Sequence, residues 1–424
     1  MAASARPEHV AVIGAGMPGL ATAWFLQERG VQVTVLERDH VAAGSSWGNA
    51  GWLTPALTTP LPEPSVLRYG LRAMLDSSSP VYVPPRADPR LWRFLLGFAR
   101  HCTSRKWRLA MSAYAAVNRR SLDAFDALTT GGVAEEVHEA ESFLGCHVSV
   151  EDQKALAQEL HHVRAAGQDV EYEMLNGDEA REIESALSDE VKAAVRVRGQ
   201  RFIDPVRYMQ ALADAVRGRG ADLKEGVGVH EVREEGAGVA VQTSDGETQE
   251  TRKYDAVVLA NGAWLNPLAR KFGVRSVVQA GRGYSFSVPA ESLGAGMPSG
   301  PLYFSAQRTT CTPLGDRLRV AGMMEFRAPE ESLDPRRVNA IIETLRPLLR
   351  GVDFEQRTDE WVGSRPCTSD GLPLIGPTNS SRVFVAGGHG MWGIVLGPLT
   401  GELMAETITT GRTPAELTPF HPLR

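Results

Sequence analysis

Three glycines and one acidic residue near the start of the chain have the types and spacing of a nucleotide-binding site. Gly14, Gly16 and Gly19 follow the pattern GxGxxG, and Glu37 stands 18 positions after Gly19. In such a turn the first glycine permits a tight bend, the second lets the backbone approach a pyrophosphate, and the third packs a helix against a strand. A carboxylate at the position of Glu37 can accept hydrogen bonds from an adenosine ribose. These residues predict a dinucleotide site without identifying the dinucleotide.

The elements around these residues have the order strand, turn, helix and strand that such a site needs. An apolar run that ends at Ile13 predicts a buried strand, and Pro18 lies in the first turn of the following helix, where its missing N–H costs nothing. Gly30 ends that helix, and the alternating valines after it predict a second strand that ends at Glu37. A glycine-rich turn in an ordinary α/β protein lacks this context, so we favour nucleotide binding.

Three later stretches could contact the same ligand. Residues 43–53 mix small, hydroxylic and glycine residues with tryptophans, which favours a loop that covers a cofactor over a flexible surface loop. Residues 254–264 form an apolar strand that ends in small residues and opens a helix, as at the carboxyl edge of a nucleotide-binding sheet. Residues 382–393 form a strand, a glycine-rich turn and the start of a helix, which directs free N–H groups at an electron-rich group. In a flavoenzyme that group would be the pyrimidine end of the isoalloxazine.

The rest of the chain predicts a second domain. From residue 274 to about 326 the sequence changes to short alternating strands, which indicates an antiparallel sheet. Asp204 is a plausible N-cap for a helix that begins at Pro205. Further helices are predicted at 90–128, 151–166, 178–187, 335–350 and 394–409.

Composition excludes several classes of protein. The 424 residues can form two domains, and the net charge of −6 provides no basic face for nucleic acid, so we expect no nucleic-acid partner. The 4 cysteines form no CxxC pair, so neither a disulfide framework nor a metal site is predicted. The first eight residues lack an apolar signal region and no run of residues is long enough to span a membrane, so we expect a cytoplasmic location. The basic amphipathic pattern of 90–128 leaves a peripheral membrane contact open, although a solvated helix face is favoured.

Several motifs together resemble the D-amino-acid-oxidase family of FAD-dependent oxidoreductases. They are GAGMPG with Glu37, the GSSWGNAG loop, DAVVLANGAW and the closing SRPCTSDGLPLIGP…VFVAGGHGMWGI. Within the family, the pattern SxxNAG near position 50, VYVPPRADPRLW, GRGYSF and GDRLRVAGMMEF are most similar to bacterial D-amino acid dehydrogenases. The similarity covers nearly the whole chain in the expected order. One departure is Cys367, followed by Thr and Ser, where many relatives have Met-Thr-Pro.

The resemblance implies FAD as the cofactor, with the adenosine ribose on Glu37 and Arg38, the adenine near Val227, and the O2 side of the flavin against residues 390–394. The motifs and the resemblance together predict these cofactor-binding residues: Gly14, Gly16, Met17, Pro18, Gly19, Glu37, Arg38, Ser45, Ser46, Asn49, Ala50, Gly51, Trp52, Val227, Asn261, Gly262, Trp264, Gly390, Met391, Trp392, Gly393 and Ile394. A covalent flavin link through Cys367 is not expected, because its motif differs from that of relatives with such a link.

For the substrate, the resemblance assigns Arg365 of the SRP motif to the carboxylate and places Tyr284 over the reactive face of the flavin. Tyr303 and His389 are further pocket candidates. A planar guanidinium suits the first role because it grips a carboxylate through two hydrogen bonds. The alternatives are a surface salt bridge for Arg365, a place in the sheet core for Tyr284, and a backbone bond that fixes the glycine turn for His389.

The expected fold is α/β (α+β), with a Rossmann-like FAD-binding domain and a second, antiparallel-sheet substrate domain. The expected segments are 1–62, 200–273 and 366–424 for the first domain, and 63–199 and 274–365 for the second. The expected reaction is dehydrogenation of a small, D-configured amino acid to an imino acid, by hydride transfer from Cα to flavin N5 with oxygen or a quinone as electron acceptor. Alternatives are oxidation of a secondary amino acid such as sarcosine or hydroxyproline, or a catalytically inactive flavin-binding protein.

Overall fold

The strands of the protein fall into two large sheets and two small ones. The computed structural model describes residues 6–64, 66, 79, 81–84 and 87–424, so part of the predicted segment 63–199 lies outside the described residues. The described strands are β1 His9–Ile13, β2 Gln32–Leu36, β3 Trp52–Leu53, β4 Val81–Tyr82, β5 His138–Glu139, β6 Leu144–His147, β7 Tyr172–Asn176, β8 Ala193–Val197, β9 Arg201–Phe202, β10 Asp222–Lys224, β11 Gly228–Glu235, β12 Gly238–Ser244, β13 Gln249–Tyr254, β14 Ala256–Leu259, β15 Val278–Pro289, β16 Leu302–Phe304, β17 Thr309–Leu314, β18 Arg317–Phe326, β19 Thr358–Thr368, β20 Leu374–Pro377 and β21 Val383–Gly387. The described helices are α1 Met17–Glu28, α2 Pro89–His101, α3 Ser104–Thr130, α4 Val150–Ala165, α5 Gly177–Ile183, α6 Pro205–Gly218, α7 Leu265–Ala269, α8 Pro335–Leu345 and α9 Gly393–Thr410.

The first large sheet has the order β10-β2-β1-β14-β21-β20, in which the first five strands are parallel and β20 is antiparallel to β21. Its apolar strands are buried because helices cover the sheet. Helices α1 and α9 cross closely on one side, since a Cβ on Gly397 would lie 2.5 Å from the Met17 Cγ and one on Gly401 would lie 2.5 Å from the carbonyl carbon of Ala21. The predicted Rossmann-like architecture is confirmed.

The second large sheet runs β19-β15-β18-β17-β16-β6-β8-β7, and β4 pairs with β18. Most of its pairs are antiparallel, as predicted, while β16 pairs with β6 in parallel. Helix α8 packs its apolar face on one side of this sheet through Val338, Ile341 and Leu345. The sheet therefore has one face covered by its own helix and a second face that is free to meet the nucleotide-binding half.

Several local predictions differ in extent from the structure. The two short strands predicted at 277–280 and 285–288 form the single strand β15, because the glycines between them continue the extended backbone. The predicted helix at 335–350 ends at Leu345, and the region 90–128 forms two helices that separate at Cys102 and Thr103. Asp204 caps α6 as predicted, by accepting hydrogen bonds from the Val206 and Arg207 amides. The predicted boundary at 365 and 366 falls inside β19.

No helix among the described residues is long and apolar enough to cross a membrane. In the same part of the chain, no group of three or more His, Cys, Asp or Glu residues is arranged to hold a metal ion.

Candidate active site

The glycine turn between β1 and α1 has the geometry that its sequence predicts. Gly14 has φ +107°, and a Cβ there would lie 2.6 Å from the Ala260 carbonyl oxygen, so the turn requires glycine. A Cβ on Gly19 would overlap the Gly14 carbonyl oxygen, which explains the close contact of helix and strand. Gly16 differs, because the nearest atom to its Cβ position is the Ser46 Oγ at 3.4 Å. Protein packing leaves room beside Gly16, as a bound diphosphate requires.

Glu37 is held at the carboxyl edge of the first sheet. Its two carboxylate oxygens accept hydrogen bonds from the Ala15 amide at 2.8 Å and the Asp39 amide at 3.0 Å. The Arg38 guanidinium lies 4.4 Å from the centroid of the Trp264 ring, and the Val227 amide donates to the Glu37 carbonyl oxygen at 2.8 Å. The structure therefore brings together the three residues expected around the ribose and adenine, and it adds Trp264 beside Arg38.

The loop at residues 43–53 is folded by its own side chains and held to α1. The Ser46 Oγ accepts a hydrogen bond from the Met17 amide at 3.2 Å, in the first turn of α1. Asn49 accepts from the Gly51 amide at 2.6 Å and donates to the Ser46 carbonyl oxygen. This arrangement fixes the loop beside the N-terminal end of α1, where the helix dipole favours a negative group.

The same loop is also attached to the second sheet. Thr312 of β17 accepts a hydrogen bond from the Trp52 Nε1 at 2.9 Å and donates to the Ala50 carbonyl oxygen at 2.8 Å. Ser285 of β15 donates to the Gly48 carbonyl oxygen at 2.6 Å. The loop therefore lies between the two sheets, as a loop that covers a cofactor should.

Arg319 of β18 reinforces this attachment and was not predicted. The residue is 4% exposed, and its guanidinium donates to the Gly48 carbonyl oxygen at 3.2 Å, to the Ser285 Oγ at 2.7 Å and to the Ser287 Oγ at 3.1 Å. Burial lowers the pKa of Arg319 to about 10, so the side chain stays charged at neutral pH. Within the described part of the chain it forms no salt bridge. The available signal in the sequence was an arginine inside the otherwise apolar strand pattern of residues 317–326.

The C-terminal glycine turn leaves amide groups available at the start of α9. Trp392, the N-cap residue, makes no side-chain capping bond, so the first amides of α9 have no capping partner. The Trp392 Nε1 donates to the Thr59 carbonyl oxygen at 2.7 Å, and the Gly390 amide donates to the Pro366 carbonyl oxygen at 2.9 Å. Of the other predicted residues here, Met391 is exposed and Ile394 is buried. The turn is held in place while its helix end stays open to a ligand.

His389 ties this turn to helix α9. Its Nε2 lies 3.0 Å from the Thr400 Oγ1 of α9, and its ring is buried. Burial lowers the pKa of His389 to about 4, so the ring is neutral at physiological pH. This contact supports the alternative of fixing the glycine turn, although the partner is a side-chain hydroxyl and not the expected backbone group, and the pocket role of His389 stays a prediction.

The segment that follows β14, at the carboxyl edge of the first sheet, contains a polar atom without a hydrogen-bond partner in the described structure. The Asn261 Nδ2 donates to the Trp264 carbonyl oxygen at 2.8 Å, whereas its Oδ1 is buried and accepts no hydrogen bond in the described structure. Gly262 has φ +55° and open space at its Cβ position. Together with the space beside Gly16, this unpaired oxygen indicates that the edge fits a bound dinucleotide such as FAD.

Arg365 is the most informative residue of the second sheet. It lies on β19 opposite Gly281, and its guanidinium extends over Gly283, where any Cβ would overlap it. The Nη1 donates to the Met323 carbonyl oxygen at 2.7 Å, and no carboxylate of the described residues forms an ion pair with Arg365. Burial lowers the pKa of Arg365, yet a guanidinium remains protonated in proteins. A partly buried cation without a counter-charge is the expected receptor for an anionic ligand. The alternative of a surface salt bridge does not fit this geometry.

Tyr284 does not join Arg365, contrary to the prediction. Residues alternate along β15, so Gly281, Gly283 and Ser285 share the face of Arg365 while Tyr284 points to the other face. Tyr284 is 1% exposed, and its hydroxyl donates to the Glu325 Oε2 at 2.7 Å. The side chain is enclosed in the core beneath α8, so it cannot contact a substrate on the Arg365 face.

Tyr303 lies on the same face of the second sheet as Ser285. The register runs from Tyr303 on β16 to Thr310 on β17, then to Ala321 on β18 and Ser285 on β15. Its ring is partly exposed and meets the Trp52 ring edge to face, with centroids 5.5 Å apart. Burial raises the pKa of Tyr303, so the hydroxyl is neutral. Tyr303 therefore remains a candidate for the wall of the substrate pocket. Its strand, β16, is separated from the strand of Arg365, β19, by β17, β18 and β15.

Replacing Glu37 with alanine should weaken FAD retention without changing the reduction rate of enzyme that remains loaded. The carboxylate lies at the ribose end of the predicted site, so its loss removes binding and leaves transition-state stabilisation unchanged. Dialysis followed by assay of the FAD released on denaturation measures retention. A large fall in the reduction rate of fully loaded Glu37→Ala enzyme would place Glu37 elsewhere.

The protein-family model described as FAD dependent oxidoreductase (DAO) matches residues 9–407. Curated relatives include the D-amino acid dehydrogenases of Cereibacter sphaeroides, 30% identical over 96% of this chain and 92% of the relative, and of Xanthobacter autotrophicus, 30% identical over 96% of each. Solved structures with the same fold include glycine oxidase from Geobacillus kaustophilus, with a TM-score of 0.74, 23% identity and 99% of each chain covered. Another is L-proline dehydrogenase from P. horikoshii, with a TM-score of 0.68, 20% identity, and 99% of this chain and 98% of that one covered. Since the family model spans nearly its whole length, this chain belongs to the DAO family of FAD-dependent oxidoreductases.

Proposed function

We propose that this FAD-dependent amino acid dehydrogenase or oxidase acts on small D-amino acids and converts them to imino acids, which water then hydrolyses. The observation that carries the proposal is the Arg365 guanidinium, which forms no ion pair with any described residue and lies on the face of the second sheet that meets the loop at 43–53. An amino acid supplies the carboxylate that this guanidinium lacks. The bare backbone of Gly283 gives the guanidinium its place on this face, because any Cβ there would overlap it.

The protein's task in this reaction is to bind and orient the substrate. When bound, FAD accepts the hydride from Cα. Arg365 grips the substrate carboxylate with two parallel hydrogen bonds, which fixes the direction of the Cα–H bond. The substrate amine loses a proton to solvent before hydride transfer, so no strong base is needed. The proposed site residues include no such base, which is consistent with this chemistry.

The named relatives support D-amino acids as the first class to test. Curated relatives at 30% identity are named D-amino acid dehydrogenases, whereas the solved neighbours include enzymes named for glycine and L-proline. Secondary amino acids such as sarcosine and hydroxyproline are the alternative. An inactive flavin protein is disfavoured because Arg365 would then be a buried cation with no function to offset its burial.

Anaerobic bleaching of the bound flavin across D-, L- and N-alkyl amino acids tests the proposal. We expect small D-amino acids to reduce the flavin fastest, with their L-enantiomers as matched controls. Faster bleaching by sarcosine or hydroxyproline would establish the alternative, and a flavin that none of these compounds bleaches would support the inactive protein.

We also propose that α2 and α3 carry a surface that contacts an anionic membrane from the cytoplasmic side. Residues 89–122 contain eight Lys and Arg and no Asp or Glu. Leu96 and Leu109 in this stretch are 54% and 64% exposed, and the basic side chains beside them are exposed as well. Exposed leucines among cations are typical of helices that lie in a membrane interface. This contact would favour a membrane quinone over oxygen as the electron acceptor.

The double variant Leu96→Ser and Leu109→Ser should bind vesicles that contain anionic lipid several-fold more weakly than the parent protein, because each change removes apolar area that enters the interface. Co-sedimentation measures the binding, and Met174→Ser, which changes an exposed residue on β7, is the matched control. Equal vesicle binding by all three proteins, or none by the parent, would contradict the membrane proposal.

A further inference from the structure

A bulge interrupts the pairing of β15 with β18 directly beside Arg365. Arg282 pairs with Glu325 and Tyr284 pairs with Gly322, so a single residue of β15, Gly283, faces two residues of β18. The first of these two is Met323, which has φ +65°. This left-handed conformation is disfavoured for a residue with a side chain, and it persists only where the surrounding structure imposes it.

The bulge determines where Arg365 lies. A bulge leaves the extra residue outside the regular ladder, and here the Met323 carbonyl accepts a hydrogen bond from the Arg365 Nη1 at 2.7 Å. Gly283, opposite the bulge, gives the space that the guanidinium occupies. The position of the guanidinium therefore depends on the strained backbone at Met323 and on the bare backbone at Gly283.

The other face of the sheet carries a bond that spans the bulge. Tyr284 belongs to the pair on one side of the bulge, and Glu325 belongs to the pair on the other side. The Tyr284 hydroxyl donates to the Glu325 Oε2 at 2.7 Å, and both side chains are buried. The second carboxylate oxygen of Glu325 forms an ion pair with Arg327. A charge-assisted bond between two buried groups is stronger than a bond in water and resists a change in register.

We propose that Tyr284 and Glu325 are positioning residues for Arg365. Their hydrogen bond spans the bulge on the opposite face of the sheet and so holds the Met323 carbonyl oxygen in place. That oxygen accepts a hydrogen bond from the guanidinium and thereby orients it toward a substrate carboxylate. This inference rests on the proposed role of Arg365 in carboxylate binding. It replaces the direct substrate contact that the sequence predicted for Tyr284 with an effect transmitted through the backbone of β18.

The variant Tyr284→Phe removes the hydroxyl and leaves the ring in the core. We expect it to raise the dissociation constant for acetate and for an amino acid roughly tenfold, as loss of a hydrogen bond to a charged group would. The limiting rate of flavin reduction should change much less, and reduction by the matching amine without a carboxylate should not change. Acetate binding, measured by perturbation of the flavin spectrum, gives a readout apart from turnover.

A double-mutant cycle separates positioning from general stability. In the Arg365→Ala background, Tyr284→Phe should have no further effect on acetate binding, because the group that it positions is absent. Gly283→Ala tests the same geometry from the Arg365 face of the sheet, since its Cβ would displace the guanidinium while Tyr284 lies on the other face. FAD content and thermal unfolding of each variant verify that the fold is intact.

The outcomes separate the two proposals. If Arg365→Ala weakens acetate binding but Tyr284→Phe does not, or if the effect of Tyr284→Phe persists unchanged without Arg365, the positioning role is overturned and the carboxylate contact stands. If Tyr284→Phe slows the amine as much as the amino acid, its role is structural and the inference also fails. If Arg365→Ala leaves acetate binding unchanged, the carboxylate contact fails, and the positioning role fails with it.

Discussion

Arg365→Ala is expected to weaken amino acid binding by about tenfold to a hundredfold and to slow flavin reduction further. A charge-assisted bidentate pair contributes roughly 1.5–3 kcal/mol, which corresponds to that range of affinity. Among the described residues the guanidinium donates hydrogen bonds to the Met323 carbonyl oxygen and the Met324 sulfur and pairs with no carboxylate, so a substrate carboxylate has no competitor to displace. The additional loss in rate arises because a substrate without its anchor presents Cα in many orientations.

The lysine variant refines this expectation. Arg365→Lys should recover part of the binding, because an ammonium keeps the charge but cannot form two parallel hydrogen bonds with a carboxylate. The fold should survive both changes, because Arg365 is only partly buried and makes no ion pair within the described structure. Arg336→Ala, which removes an exposed arginine of α8, is the matched control for charge.

Rapid-reaction measurements with an amino acid and with the matching amine decide the outcome. Arg365→Ala should slow reduction by the amino acid and leave reduction by the amine nearly unchanged. Equal slowing of both would make Arg365 a structural residue, and the carboxylate would have to bind elsewhere.

The parts of the site that depend on local backbone could be predicted from the sequence. The positive φ of Gly14 and the contact of Gly19 with the Gly14 carbonyl oxygen both arise within one strand, one turn and one helix. The carboxylate of Glu37 ends the next strand, so its place at the sheet edge follows from the same short segment. Local rules of this kind also predicted the N-cap at Asp204 and most helices.

The second sheet was harder because the face of each residue depends on pairing between distant strands. Tyr284 was expected on the substrate face, but β15 alternates small residues toward Arg365 and large residues toward α8. The alternation of Gly281, Gly283 and Ser285 with Arg282, Tyr284 and Phe286 was visible in the sequence as a signal of two different faces. The bulge at Met323 was not visible, because it exists only in the pairing of β18 with β15.

Arg319 shows the same limit, since its partners come from three separate parts of the chain. It contacts Gly48 in the loop at 43–53, Ser285 and Ser287 on β15, and the Asp359 carbonyl oxygen on β19. No local pattern indicates such contacts. Arg319 therefore links the loop to the second sheet together with Ser285 and Thr312, and it is the charged member of this set.

Arg319→Met is therefore expected to lower FAD retention strongly and to destabilise the holoprotein by about 2–4 kcal/mol. The methionine fills part of the volume but donates no hydrogen bonds, so the carbonyl oxygens of buried Gly48 and of Asp359 each lose a donor. Because Gly48 belongs to the loop that covers the cofactor, the change should loosen that loop more than the rest of the fold. Arg319→Lys should give an intermediate loss, since its ammonium reaches fewer of these acceptors.

Comparison of holoprotein and apoprotein separates a clamp on the cofactor loop from a general contribution to folding. Thermal unfolding with and without added FAD should show a larger loss of stability in the FAD-bound form of Arg319→Met, because ligand binding stabilises only through the affinity of the folded state. Arg233→Met, a change of an exposed arginine on β11, is the control for loss of charge. An equal loss in both forms with normal FAD affinity would mean that Arg319 supports the second sheet alone, and that the loop is held by Ser285 and Thr312 without it.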